Sequence, residues 1–209
     1  MSSDRRLNLV DFLDFYRALG HQRAAFQILE EEILRVSPEL LSDNAEWYKV
    51  WTAGGRFEDT SKALALIKKW EGFRNEAYVC PAGYVTIGYG SRRYEDGSWV
   101  RMGEKITAAR GEQLLQLEVD RITSMLEQRI PFWVEMGNNQ RCALISFAYN
   151  VGENFYGHRH FQTISGKLAL KSWESVPDAL FLYHNPGTDF SEGLIARRVE
   201  EGELWAMDI

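Results

Sequence analysis

The chain has 209 residues, 45% of them hydrophobic and 13% aromatic, which suits a packed core and excludes a disordered polymer. Its net charge of -6 argues against a broad nucleic-acid-binding surface. No run approaches the roughly 18 apolar residues of a membrane span, and the opening Met-Ser-Ser-Asp-Arg-Arg does not read as a signal peptide. A soluble product made in the cytoplasm is therefore expected. The two cysteines, Cys80 and Cys142, offer neither metal-ligand spacing nor a disulfide framework, so no metal or cofactor is expected.

In chain order, Leu9, Phe12, Leu13, Tyr16 and Leu19 recur at helical spacing before Gly20. A second helix is predicted from about Gln22 to Leu34. Ser37-Pro38-Glu39 reads as the start of a third, carrying Leu40, Leu41, Trp47, Val50 and Trp51. Ala53-Gly54-Gly55 is a boundary signal. Residues 1–54 are thus read as a small three-helix appendage and residues 55–209 as the main domain. About fifty residues give a marginal independent core.

After Asp59, Thr60 and Ser61, any of which can cap a helix, Leu64, Ile67 and Trp70 again share one face, and Gly72 stops the helix. Glu71 is thereby expected at a helix C-terminus. Ala77-Tyr78-Val79, the Pro81-Ala82-Gly83 turn and Tyr84-Val85-Thr86-Ile87 form a predicted hairpin. Asp96-Gly97 marks a second turn. A long helix is predicted from about Ala108 to Arg129, capped by Thr107, burying Leu114, Leu117, Ile122, Met125 and Leu126 and ended by Pro131. Another begins at Asn138-Asn139-Gln140 and runs through Val151, with Cys142 a reduced core thiol. A small antiparallel sheet followed by helices is an α+β pattern with a cleft between the two parts.

Glu71, eight residues, Cys80, five residues, Thr86, then Ile87-Gly88-Tyr89-Gly90 resembles the active-site segment of the phage-type lysozymes, glycoside hydrolase family 24. Asn139–Gly152 resembles that family's central helix, and Gly193-Leu194-Ile195-Ala196-Arg197-Arg198 with Glu201 and Leu204-Trp205 its carboxyl-terminal block. The three blocks cover roughly residues 62–206. The resemblance implies a lysozyme-like fold and an endolysin muramidase. Such an enzyme cleaves the β-1,4 linkage between N-acetylmuramic acid and N-acetylglucosamine in peptidoglycan. It implies a monomer waiting in the host cytoplasm until a holin opens the membrane. The aromatics of residues 1–54 then read either as that module's own core or as sugar-docking groups. Because bacterial walls are often anionic, attraction to them by a chain of net charge -6 has to come from a local basic patch.

Glycosidic hydrolysis needs an acid for the leaving oxygen and a group that activates or replaces water. The resemblance gives Glu71 the acid role, with Trp70, Phe73 and Tyr78 as neighbours that exclude water, and Arg197 or Arg198 as an orienting cation. Both arginines are equally explained as partners of Glu200 and Glu201. Cys80 stands where the family has Asp or Cys. A free thiol has a pKa near ~8.5, so base chemistry requires neighbours that lower it. Three roles are open for Cys80: thiolate base for water, the preferred one, covalent nucleophile, or water positioner with Thr86. Tyr89, Gly90, Tyr149 and Asn150 are candidates for lining the saccharide groove. Two other functions compete. A cysteine amidase or peptidase would need a histidine base from His21, His158, His160 or His184, and no spacing marks one. A non-catalytic wall-binding protein of the same fold is the other.

Overall fold

The computed structural model describes residues 59–81, 83–188 and 191–209. The three predicted helices of residues 1–54 lie outside the described residues. The described unit opens with α1, Ser61–Glu71. Asp59 Oδ1 accepts the Ser61 N–H at 3.0 Å, satisfying one of the free donors of the first turn. Ala63 and Ile67 are fully buried, and burying an isoleucine side chain contributes about 1.5–3 kcal/mol. Gly72, at φ 67°, ends the helix in a conformation that costs a non-glycine residue energy.

Strands β1, Arg74–Val79, and β2, Val85–Gly88, pair antiparallel, with Tyr78 opposite Thr86 and Val79 opposite Val85. β1 starts three residues earlier than its apolar pattern predicts, and an irregularity between Arg74 and Tyr78 absorbs the mismatch. The Asp96-Gly97 turn is present as an isolated bridge between Arg93 and Trp99. Ala77 and Ile87 pack with Val100 and Leu114 into a small core, edged by Val85, Tyr94 and Ile106.

Helix α2, Ala108–Arg129, matches its predicted bounds, and Thr107 Oγ1 accepts the Arg110 N–H at 3.1 Å. It joins the two parts of the domain: Leu114 belongs to the small core, and Leu115, Val119, Ile122 and Leu126 belong to the large one. Leu117 departs from expectation and is 47% exposed. Two residues beyond Leu115 is about 200° around a helix, so Leu117 points away from the buried stripe. Met125 is half-buried.

Helix α3, Asn138–Val151, is the centre of the large core. Residues 142–148 are all buried, which marks a helix enclosed on every side. Cys142 is a free thiol in that core and donates to the Asp59 carbonyl at 3.2 Å. Against α3 pack α1, α2 and the long α6, Ser191–Ala206, while the short helices α4, Gln162–Ala169, and α5, Val176–Phe181, pack on one another and α5 on α6. Phe147, Phe155, Phe161 and Tyr183 close one end with largely edge-on ring contacts. The start of α3 is capped from far away: the Asp208 carboxylate accepts the N–H groups of Asn139 and Gln140 at 2.7 and 3.3 Å. No helix among the described residues is long and apolar enough to cross a membrane.

Candidate active site

Glu71 is the last residue of α1, where the helix carbonyls disfavour a negative charge. A cation answers that problem. Arg197 Nη1 donates to Glu71 Oε1 at 2.7 Å, joining residues 126 positions apart. The arginine side chain is 4% exposed and the glutamate 27%, so the pair sits at the edge of solvent with its cation inside. The other edges of Arg197 are also engaged. Its Nε donates to Glu201 Oε1 at 3.1 Å and its Nη2 to the Ser146 carbonyl at 3.0 Å. This fixes the guanidinium plane behind Glu71 from α6 and α3 at once.

Glu201 is fully buried between two arginines. It accepts from Ser146 Oγ at 2.7 Å, and its Oε2 lies 3.1 Å from Arg198 Nε without hydrogen-bond geometry. Arg198 donates to Asn150 Oδ1 at 3.0 Å and lies over the Phe147 ring. Glu71, Arg197, Glu201 and Arg198 together carry two charges of each sign. Burial pushes the Glu201 carboxyl above its ordinary range, against the pull of Arg198 and Arg197. Burial also lowers the Arg198 guanidinium, against the pull of Glu201. For both groups the loss of hydration outweighs the mutual attraction.

Cys80 and Thr86 lie on the hairpin. Alternation along paired strands puts Tyr78, Cys80, Tyr84 and Thr86 on one face and Ala77, Val85 and Ile87 on the other, toward the small core. Cys80 N–H donates to the Tyr84 carbonyl at 2.8 Å, and Gly83 N–H closes the turn onto the Cys80 carbonyl. The Cys80 thiol is free and half-buried. Thr86 is buried, and its hydroxyl donates to the Tyr78 carbonyl at 3.4 Å, leaving oxygen lone pairs able to accept.

Of the four expected groove residues, Gly90 lies beside Glu71. A Cβ there would lie 4.0 Å from Glu71 Oε2 and 3.8 Å from Tyr149 Oη, on a backbone at φ 104° that glycine alone adopts freely. Tyr149 is half-buried and donates to the Tyr89 carbonyl at 2.9 Å, tying the hairpin's end to α3. Burial and the nearby Glu71 charge raise its phenol well above the usual range, so it stays a neutral donor. The Tyr89 ring is buried against Phe73, so that residue meets the site through its backbone. Asn150 is held by Arg198. Glu200, one of the two acids expected to pair with the arginines, instead meets Lys69 and Trp70 Nε1. Ser146 was not foreseen from the sequence; a serine within an apolar run carries no signal of its own.

Among the described residues no group of three metal-ligating side chains occurs, and no hydrogen bond joins Cys80 to a histidine. His158 and His160 are exposed, with their rings tilted against each other. An acid at a helix end, beside Gly90 at the end of a hairpin that carries a thiol and a hydroxyl, offers groups of the kind needed for protonation of a leaving group and delivery of water.

The family model for phage lysozyme matches residues 68–201. The endolysin of Salmonella phage P22 is 31% identical over 150 residues, covering 70% of this chain and 96% of that one. Among solved structures, an endolysin from Escherichia coli O157:H7 phage FAHEc1 superposes with a TM-score of 0.63 at 30% identity, covering 74% of this chain and 97% of that one. The muramidase domain of SpmX from Asticaccaulis excentricus gives a TM-score of 0.60 at 26% identity, covering 72% and 98%.

Proposed function

The chain belongs to the phage lysozyme family and is a peptidoglycan-lysing muramidase of the endolysin type, and we propose that Glu71, Cys80 and Thr86 carry its chemistry. Glu71 donates its proton to the oxygen leaving from the β-1,4 linkage between N-acetylmuramic acid and N-acetylglucosamine. Water attacks the anomeric carbon from the opposite face, Cys80 as thiolate takes the water's proton, and Thr86 Oγ1 accepts a hydrogen bond from that water. The observation that supports this reading is the place of Glu71, fixed at the end of α1 by Arg197 and lying beside Gly90 at the end of the hairpin that carries Cys80 and Thr86. That cation is shared with Glu201 instead of falling wholly on Glu71.

Mass spectrometry of products released from purified peptidoglycan, before and after borohydride reduction, tests the assignment. New reducing-end N-acetylmuramic acid is expected, and none from Glu71→Gln, which keeps the shape and removes the acidic proton. Free stem peptides with intact glycan, or full activity in Glu71→Gln, would overturn it.

A further inference from the structure

Three arginines between Gly72 and Thr107 are stacked on aromatic rings. The Arg74 guanidinium lies 4.2 Å from the Tyr78 ring centre, Arg92 lies 4.5 Å from Tyr84, and Arg93 lies 3.8 Å from Trp99. Energetically significant pairs of this kind occur roughly once per 70–80 residues, so this stretch is dense in them. All three arginines are exposed, and among the described residues none pairs with a carboxylate. The acids of the same stretch are engaged elsewhere: Glu76 with Lys105, Glu95 with Arg110, Asp96 with the Ser98 N–H, and Glu104 with Tyr94 and the Arg101 N–H. A chain of net charge -6 thus keeps unpaired cations on its small lobe.

Two of these pairs bracket the proposed chemistry. Tyr78 stands opposite Thr86, and Tyr84 stands opposite Cys80 across the turn, on the hairpin face that carries both. Stacking holds each guanidinium plane while leaving its N–H edge open, and that edge matches a carboxylate in bidentate fashion. The geometry points to Arg74 and Arg92 as a recognition site for the free carboxylates of the peptidoglycan stem peptides, which branch from the muramic acid beside the bond to be cut. This rests on peptidoglycan being the substrate and adds a second recognised part of it, the peptide, to the glycan in the groove. Arg93, the next residue of an extended segment, points to the other face and serves as a charge control.

The test is co-sedimentation of the full chain carrying Glu71→Gln, so that the polymer is not consumed. Three polymers free of other wall components are compared: intact peptidoglycan, the same peptidoglycan with carbodiimide-amidated carboxylates, and glycan strands stripped of stem peptides by an amidase and then amidated at the lactyl carboxylates that the cleavage exposes. Arg74→Ala/Arg92→Ala is expected to weaken binding to intact peptidoglycan about tenfold and binding to stripped strands by less than about twofold. Amidation is expected to reproduce the loss for the chain with both arginines, and Arg93→Ala to leave binding unchanged. Equal weakening on stripped strands, no weakening on intact polymer, insensitivity to amidation, or the same loss from Arg93→Ala would each overturn the site. Reducing-end release by the chain without substitutions is scored separately, so failure of the muramidase assignment is read independently of these arginines.

Discussion

Replacing Glu201 with glutamine isolates what the buried carboxylate does. Its side chain is 0% exposed, and the guanidiniums on either side are 4% and 0% exposed. The substitution preserves shape and one oxygen for Ser146 Oγ and Arg197 Nε, but it leaves Arg198 without an anion. Breaking a buried pair in this way costs about 3–5 kcal/mol, and the retained amide oxygen places the expectation near ~3 kcal/mol. That is a large share of the roughly 5–15 kcal/mol by which domains are stable, and it corresponds to a melting temperature lower by about 6–12 °C. Removing Arg198 as well restores charge balance, because Glu71 and Arg197 remain as one pair. Arg198→Met/Glu201→Gln is therefore expected to be more stable than Glu201→Gln alone. Urea unfolding of both single variants and the double variant gives the coupling energy. A loss below about 1 kcal/mol in Glu201→Gln, or strict additivity in the double variant, would refute the reasoning.

Cys80→Ser should cripple hydrolysis of peptidoglycan, and Cys80→Asp should retain much of it, as measured by release of reducing ends; rapid inactivation by thiol reagents together with a dead Cys80→Asp would instead indicate covalent cysteine chemistry. Gly90→Ala should cost about 1–3 kcal/mol in the strained backbone and reduce turnover beside Glu71, read by urea midpoint and activity together. Asp208→Ala should remove about 1 kcal/mol by uncapping α3 while leaving KM unchanged. Acid stability follows from the lowered carboxyls of Glu95, held down chiefly by the Arg110 hydrogen bond, and of Glu104, Asp96 and Asp59, held down chiefly by hydrogen bonds from Arg101, Ser98 and Ser61. A carboxyl with a lowered folded value stabilises the fold above its ordinary value and loses that contribution as pH falls through the lowered one. Stability should thus decline below about pH 4.5, the ordinary glutamate value, and Arg110→Gln should flatten the decline in urea titrations run from pH 7 to pH 2.

What the sequence made legible is what adjacent residues decide among themselves. Gly72 ends α1 wherever the helix is packed, Thr107 caps α2 from three residues away, and the spacing from Glu71 to Cys80 and Thr86 survives as one helix end and one hairpin face. Charge partners are a different matter. Arg197 and Arg198 are neighbours with acids at Glu200 and Glu201, and helical spacing allows several pairings at similar energy. The choice is made by α3, which contributes the Ser146 carbonyl and hydroxyl and so draws Arg197 and Glu201 inward, while Glu200 is left to Lys69 and Trp70. The Asp208 cap and the exposure of Leu117 have the same origin, since each depends on which surface another segment covers.

This division bears on how Glu71 is held. Glu71 occupies a position that its own helix disfavours, and nothing within α1 compensates. The compensation arrives from α6, 126 positions later, and is rigid only because Arg197 is also gripped by Glu201 and α3. Glu71 is therefore correctly placed only once α1, α3 and α6 have docked. Partial unfolding of α6 alone releases it, while Cys80 and Thr86 remain positioned by the hairpin's own pairing. Loss of activity should accordingly track the stability of α6 packing more closely than that of the small lobe. Destabilising α6 with Leu204→Ala, a buried residue far along that helix from Arg197, provides the comparison with Val100→Ala in the small core. At matched losses in urea midpoint, the α6 variant should lose activity at the lower urea concentration.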